Sequence, residues 1–181
     1  MESQPVKLVY WNIRGLSEKV RQVIEYCGVP YTQERMRVPE DREKWTNEIK
    51  PELIKKNPAI TLPYLVDGDK LISESDAIII YICHKSQKVE LLGRNIDEWV
   101  QVATVHGVFK DFYRAYQGLA YGTYADQAAF DAAVKESIKG FEGNLTKFNG
   151  LLGDKEFIAG GITWIDFVVA EFLQVLNTLN Q

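Results

Sequence analysis

Cysteine, methionine and histidine are scarce in this chain, with two of each among 181 residues. Cys27 and Cys83 stand alone. Without a C-x-x-C pair, metal-knuckle and dithiol-exchange chemistry are removed. Each cysteine falls on an apolar helical face, where it serves as a small buried hydrophobe. His84 and His106 are too few and too isolated to form a catalytic or metal-binding cluster, so no metal site is expected. No apolar run approaches the ~20 residues of a membrane span. Met1–Val6 lacks the apolar core of a secretory leader, so a cytoplasmic location is expected. Positive charge is neither in excess nor striped. The net charge of -4 and pI near 5.3 argue against nucleic-acid and anionic-membrane partners. Internal repeats and low-complexity tracts are absent, and strand signals vanish in the second half.

What is present centres on the stretch from Thr61 to Ser75. Two apolar runs flank Asp67-Gly68, a pair suited to a tight hairpin turn. Tyr64–Val66 and Lys70–Ile72 are therefore expected as antiparallel strands. Pro63 cannot donate to a ladder and belongs at a strand's start. A helix should begin near Ser73–Asp76. Were Leu62–Pro63 cis, the Leu62 N–H and C=O would turn outward, able to pair with an extended ligand. A carboxylate could settle on the free amides and the Ser75 hydroxyl at the helix start, with Glu74 taking an ammonium group. The alternative from these residues alone is a hairpin capped by a helix and nothing more.

Upstream, Val6–Trp11 reads as a buried strand, followed by a loop at Asn12–Gly15. Ser17 is placed as a helix cap. Val20, Val23, Ile24 and Cys27 share a helical face, ended by Gly28 and Pro30. Tyr31–Arg37 reads as a second strand, parallel to the first through a right-handed crossover. Val38–Lys50 should be a loop with a short helix, and Glu90–Asn95 a link. Beyond it, Trp99, Val102, His106, Phe109, Tyr113 and Tyr116 recur at steps of three and four, predicting a long amphipathic helix. A second helix capped by Asp126 would bury Phe130, Val134, Ile138, Phe141, Leu145 and Phe148. Thr163–Asp166 fits a capping box with Asp in place of Glu, and Ile162 and Phe167 fit a hydrophobic staple. The last helix is apolar almost all round, at Ile165, Val168, Val169, Phe172, Leu173 and Leu176.

Tyr10-Trp11-Asn12-Ile13-Arg14-Gly15-Leu16 resembles the N-terminal signature of mu-class glutathione S-transferases. Leu62-Pro63-Tyr64-Leu65 and Glu74-Ser75 resemble that family's cis-proline and γ-glutamyl sites, and Phe157–Thr163 through Asp166 its C-terminal capping segment. The resemblance spans nearly the whole chain. It implies an α/β thioredoxin-like N-terminal domain over 1–88 and an all-α C-terminal domain over 89–181, in a homodimer. The implied activity is attack of glutathione sulfur on a hydrophobic electrophile, with glutathione as co-substrate and no other cofactor. By matching position, Tyr10 would donate its hydroxyl to the sulfur. Trp11, Arg42, Trp45 and Lys50 would line the glycine end. Thr61 and Leu62 would hold the cysteinyl unit, and Glu74 and Ser75 the γ-glutamyl end. Asp111 matches the acid that reaches the other subunit's glutathione, and Tyr121 the tyrosine of the electrophile pocket. Without the resemblance, Tyr10 reads as a core tyrosine at a strand end, Trp45 and Lys50 as part of a solvated helix with one anchoring aromatic, and Asp111 as an exposed helix charge.

The chemistry fits the assignment. A thiol of pKa ~8.5 is only about 3% thiolate at pH 7. Lowering it by about 2 units asks for ~3 kcal/mol, of which a hydroxyl donor to an anion supplies ~1.5–3 kcal/mol. Three departures stand out. Glu74 replaces the usual Gln, Ala59 falls where many members present an aromatic key to the partner subunit, and the C-terminal domain is expected to be truncated. A non-catalytic binding module of the same fold, and a glutathione-dependent isomerase or peroxidase, remain as alternatives.

Overall fold

The computed structural model describes residues 4–179. The chain divides into two compact units, Met1–Val89 and Glu90–Gln181. The first is built on a four-stranded sheet of order β2-β1-β3-β4. Strand β1 is Val6–Trp11, β2 Tyr31–Met36, β3 Tyr64–Asp67 and β4 Lys70–Ser73. β1 and β2 run parallel, joined by α1 (Glu18–Cys27), while β1–β3 and β3–β4 are antiparallel. Val6, Leu8 and Val9 of β1 and Leu65 of β3 are buried, as are Val20, Val23, Ile24 and Cys27 along the α1 face. The parallel pair is the one expected from the strand–helix–strand order, and the whole is the thioredoxin-like arrangement that the resemblance implies.

Details differ from the sequence expectation. Ser17 precedes α1 but does not cap it. A turn of 3-10 helix over Gly15–Ser17 leads into α1, and the Glu18 N–H is already donated to Arg14 O at 3.1 Å. Among the described residues the buried Ser17 hydroxyl finds no helix amide and no other partner. Between β2 and β3 the chain is more helical than expected. Segments α2 (Arg42–Lys44), a π-helical turn (Trp45–Ile49) and α3 (Lys50–Ile54) follow one another without a break. The hairpin loop also shifts by one residue, because Asp67 pairs with Lys70 and leaves Gly68 and Asp69 as the turn. Gly68 takes φ 57°, which a side chain would resist.

Helix α4 (Ser75–Lys85) packs on α1 in this unit and buries Ile78, Ile79, Ile82 and Cys83. The second unit is helical: α5 (Ile96–Ala120), α6 (Gln127–Leu152) and α7 (Trp164–Leu179). Asn95 and Asp126 cap α5 and α6, accepting from the Glu98 and Ala129 amides. The buried stripe of α5 is Val102, Val105, Phe109, Phe112 and Leu119. Trp99, expected inside, is 56% exposed. The expected and observed stripes share Val102 and Phe109, and His106, Tyr113 and Tyr116 are half-buried beside them, so the aromatic stripe lies along the edge of the buried one. α6 buries Phe141 and Phe148 on the expected face.

At the start of α7, Asp166 accepts from both the N–H and the hydroxyl of Thr163, at 2.8 and 2.9 Å, and from Ile158 N–H. The Thr163 hydroxyl therefore donates to the box instead of accepting from it. α7 buries Ile165, Val168 and Phe172 but leaves Leu173 exposed, so it is covered on one face rather than all round. Among the described residues no helix is long and apolar enough to cross a membrane.

Candidate functional site

The site residues of the sheet unit gather where β1 ends. Tyr10 is the penultimate residue of β1 and only 6% exposed. Its hydroxyl oxygen accepts the Leu16 N–H at 3.3 Å, which places it against the turn that opens α1. Gly15 lets it approach: a Cβ there would sit 2.6 Å from the Tyr10 hydroxyl, and φ is 44°. Tyr10, Trp45, Leu62 and Tyr64 belong to one buried cluster, with Trp11 packed against it. The Trp45 and Tyr64 rings stack with centroids 6.0 Å apart. Burial, followed by the Glu34 charge, pushes the Tyr64 phenol up to about 12, so it stays neutral through the physiological range.

The proline bend lies beside this cluster. Leu62–Pro63 is cis. The β1–β3 ladder ends at the pair Val9–Tyr64, so Leu62 takes no part in it. Thr61 is held from behind. Its N–H donates to Ser73 Oγ at 3.0 Å, and that hydroxyl lies 3.1 Å from Ala59 O. Asn57 adds a second tie, donating from Nδ2 to Leu71 O and accepting the Ala59 N–H at 3.0 Å. Neither Ser73 nor Asn57 was singled out from the sequence. The available signal was a small polar residue at the end of a strand, one position before the Glu-Ser pair.

Glu74 and Ser75 sit at the start of α4. Glu74 is exposed and holds φ 71° and ψ 123°, a conformation that is rare without glycine. Such strain costs on the order of 1–3 kcal/mol and tends to collect at ligand clamps. Ser75 is buried, and its hydroxyl lies 3.5 Å from Asp76 Oδ1. The first-turn amides at this helix start suit an anion.

Arg42 and Lys50 lie on the helical segment that carries Trp45 but outside the buried cluster, Arg42 exposed and Lys50 half-buried. Asp111 and Tyr121 belong to the helical unit. Asp111 is exposed on α5, 3.5 Å from Arg114, and Tyr121, just past the end of α5, is exposed as well. Among the described residues no group of three or more His, Cys, Asp and Glu is placed to hold a metal ion.

Comparison with known proteins follows the same lines. Residues 6–84 match the family described as Glutathione S-transferase, N-terminal domain. Over 97% of this chain and 75% of its own length, the class-mu 26 kDa isozyme 7 of Fasciola hepatica is 30% identical. A glutathione S-transferase of Tyrophagus putrescentiae is 33% identical over 99% of this chain and 78% of its own. A solved glutathione S-transferase of Caenorhabditis elegans superposes with a TM-score of 0.75 over 97% of this chain and 83% of that one, at 24% identity, and so speaks to the fold.

Proposed function

Because the chain belongs to the glutathione S-transferase family and has mu-class relatives, we propose that it conjugates the thiol of reduced glutathione to small hydrophobic electrophiles. The observation that carries this reading is the placement of Tyr10. Its hydroxyl stands at the end of β1, against the turn that opens α1, within the cluster that holds Trp11, Trp45 and Leu62. In this role the Tyr10 O–H donates to the glutathione sulfur and favours the thiolate. The positive end of α1 adds to the effect. The electrophile loses its leaving group as the C–S bond forms, and the thiol proton has already passed to solvent.

The remaining assignments extend outward from the sulfur. Leu62, beyond the end of the ladder, pairs through its backbone with the cysteinyl unit, beside Thr61. Glu74 takes the ammonium and Ser75 the α-carboxylate of the γ-glutamyl end. Trp11, Trp45, Lys50 and Arg42 line the glycine end. Asp111 serves the glutathione of a second copy, and Tyr121 borders the electrophile. A homodimer is part of this reading. It is supported by the exposed apolar Ile96, Trp99 and Val100 on one side of the first two turns of α5. Ala59, exposed and small, offers no aromatic key. Cys27 and Cys83 are buried and not joined in a disulfide, which suits a cytoplasmic setting.

The test is turnover of glutathione with a chlorinated aromatic acceptor. Tyr10→Phe should lower the rate at pH 7 by about 10- to 100-fold, the worth of one hydroxyl bond to an anion, with glutathione KM nearly unchanged. Equal rates for the two proteins would remove Tyr10 from the chemistry. Tight glutathione binding with no turnover in the parent protein would make it a binding module.

A further inference from the structure

Lys19 is an unusual charge in the sheet unit. Lysine is almost never fully buried unless paired, yet its side chain is only 5% exposed in the first turn of α1. Its Nζ donates to Oδ1 of Asp76, in the first turn of α4, at 2.6 Å. The Ser75 hydroxyl approaches the same carboxylate oxygen at 3.5 Å, a long contact. One carboxylate thus links the ammonium on α1 to the hydroxyl at the start of α4.

The local charge gives this link a purpose. Glu74 and Asp76 put a carboxylate on each side of Ser75. A third carboxylate, arriving with the ligand, would meet two like charges, and such neighbours oppose one another strongly at close range. An ammonium held against Asp76 cancels one of them. Asp76 does not need Lys19 for the sake of its own helix, because an acid in the first turn already suits the helix dipole.

We propose that Lys19 is a positioning residue for the ligand's α-carboxylate. By neutralising Asp76 it lets the start of α4 receive an anion between two acidic side chains, and it favours a head group that carries both an ammonium and a carboxylate. The inference rests on reading the α4 start as the γ-glutamyl site. Lys19 acts through Asp76 and does not touch the ligand.

The test measures glutathione binding by calorimetry for the parent, Lys19→Met, Asp76→Asn and the double variant. Each is paired with binding of a glutathione analogue that has hydrogen in place of the α-carboxylate, and with thermal unfolding. Lys19→Met should weaken glutathione about tenfold, Asp76→Asn should bind as tightly as the parent or a few-fold tighter, and the double variant should return to within about twofold. The analogue should be almost indifferent to Lys19→Met. If Lys19→Met does not fold, the other two variants decide, because the double variant leaves no unpaired charge. It should bind within about twofold of Asp76→Asn, because without the Asp76 carboxylate the Lys19 ammonium has nothing to act through, and a tenfold gap between the two would overturn the proposal. Equal weakening in every variant, or equal sensitivity of the analogue, would reduce the pair to a tie between helices and overturn the proposal. A parent protein that binds glutathione and the analogue equally well would instead overturn the γ-glutamyl assignment, and the role of Lys19 with it.

Discussion

The two units hold their important residues in different ways. In the sheet unit the placement of site residues depends on single polar bonds at the ends of elements: Ser73 under Thr61, Asn57 under Ala59, and the Leu16 amide on Tyr10. In the helical unit the same kind of bond appears at the caps, but the interior is aromatic. Phe112 alone meets Phe141 and Phe172 edge-on, with centroids 4.6 and 3.8 Å away. One unit is sensitive to direction and the other to volume. A hydroxyl removed from the first should move a ligand, and a ring removed from the second should cost stability.

The hardest blow to the comparison would come at Phe112, which is 1% exposed. Phe112→Ala removes a ring from the meeting point of α5, α6 and α7 and should lower unfolding free energy by about 3–5 kcal/mol, read from urea melts. A loss under about 1 kcal/mol would show that the aromatic interior collapses to fill the gap, and the contrast with the sheet unit would fail.

Ser73→Ala sharpens the other side. Ser73 is buried, and its hydroxyl accepts the Thr61 N–H. Without it a part-buried amide loses its partner, at about 1–2 kcal/mol. The effect should appear in glutathione KM more than in melting temperature, because the segment released carries Leu62 and Thr61. An unchanged KM beside a lowered melting temperature would place Ser73 among ordinary structural bonds.

How much of this could be read from the sequence also differs between the units. Strands and turns are punctuated by residues with one meaning each. Pro63, Gly68 and Gly28 marked the clamp, the hairpin and the end of α1 because few backbones accept them. The helical unit offered periodicity alone, and period three-and-four fits two adjacent stripes. That is why the pattern puts Trp99 inside and passes over the buried Val105 and Phe112. Long-range polar ties were illegible in both units. Lys19 and Asp76 are 57 positions apart, and nothing in either neighbourhood points to the other. Ser17 shows the opposite failure. Its sequence context suited a cap, but a 3-10 turn leads into α1 with Ser17 already in a helical conformation, and its hydroxyl accepts no helix amide.

The smallest expected effect joins the hairpin tip to α4. Asp67 accepts from Tyr81 at 2.6 Å and from Lys85 at 2.7 Å, both across from the loop Gly68–Asp69. The Lys85 bond, followed by the Tyr81 bond, holds the Asp67 carboxyl below the usual carboxylate range. Burial, followed by that same carboxylate, pushes the Tyr81 phenol up to about 12, so at neutral pH it remains a donor. A carboxyl whose folded pKa is depressed adds stability above its unfolded pKa, near 4, and loses it as pH falls through the folded value. Asp67→Asn should therefore cost about 1 kcal/mol at pH 7, as a partly exposed pair does. The gap between variant and parent should stay flat above about pH 5 and close as the pH falls below about 4. A gap that persists unchanged into acid would mean that Asp67 contributes shape and not charge. The hairpin would then be held as the helical unit is, by packing, and the distinction between the two regions would weaken at its most exposed corner.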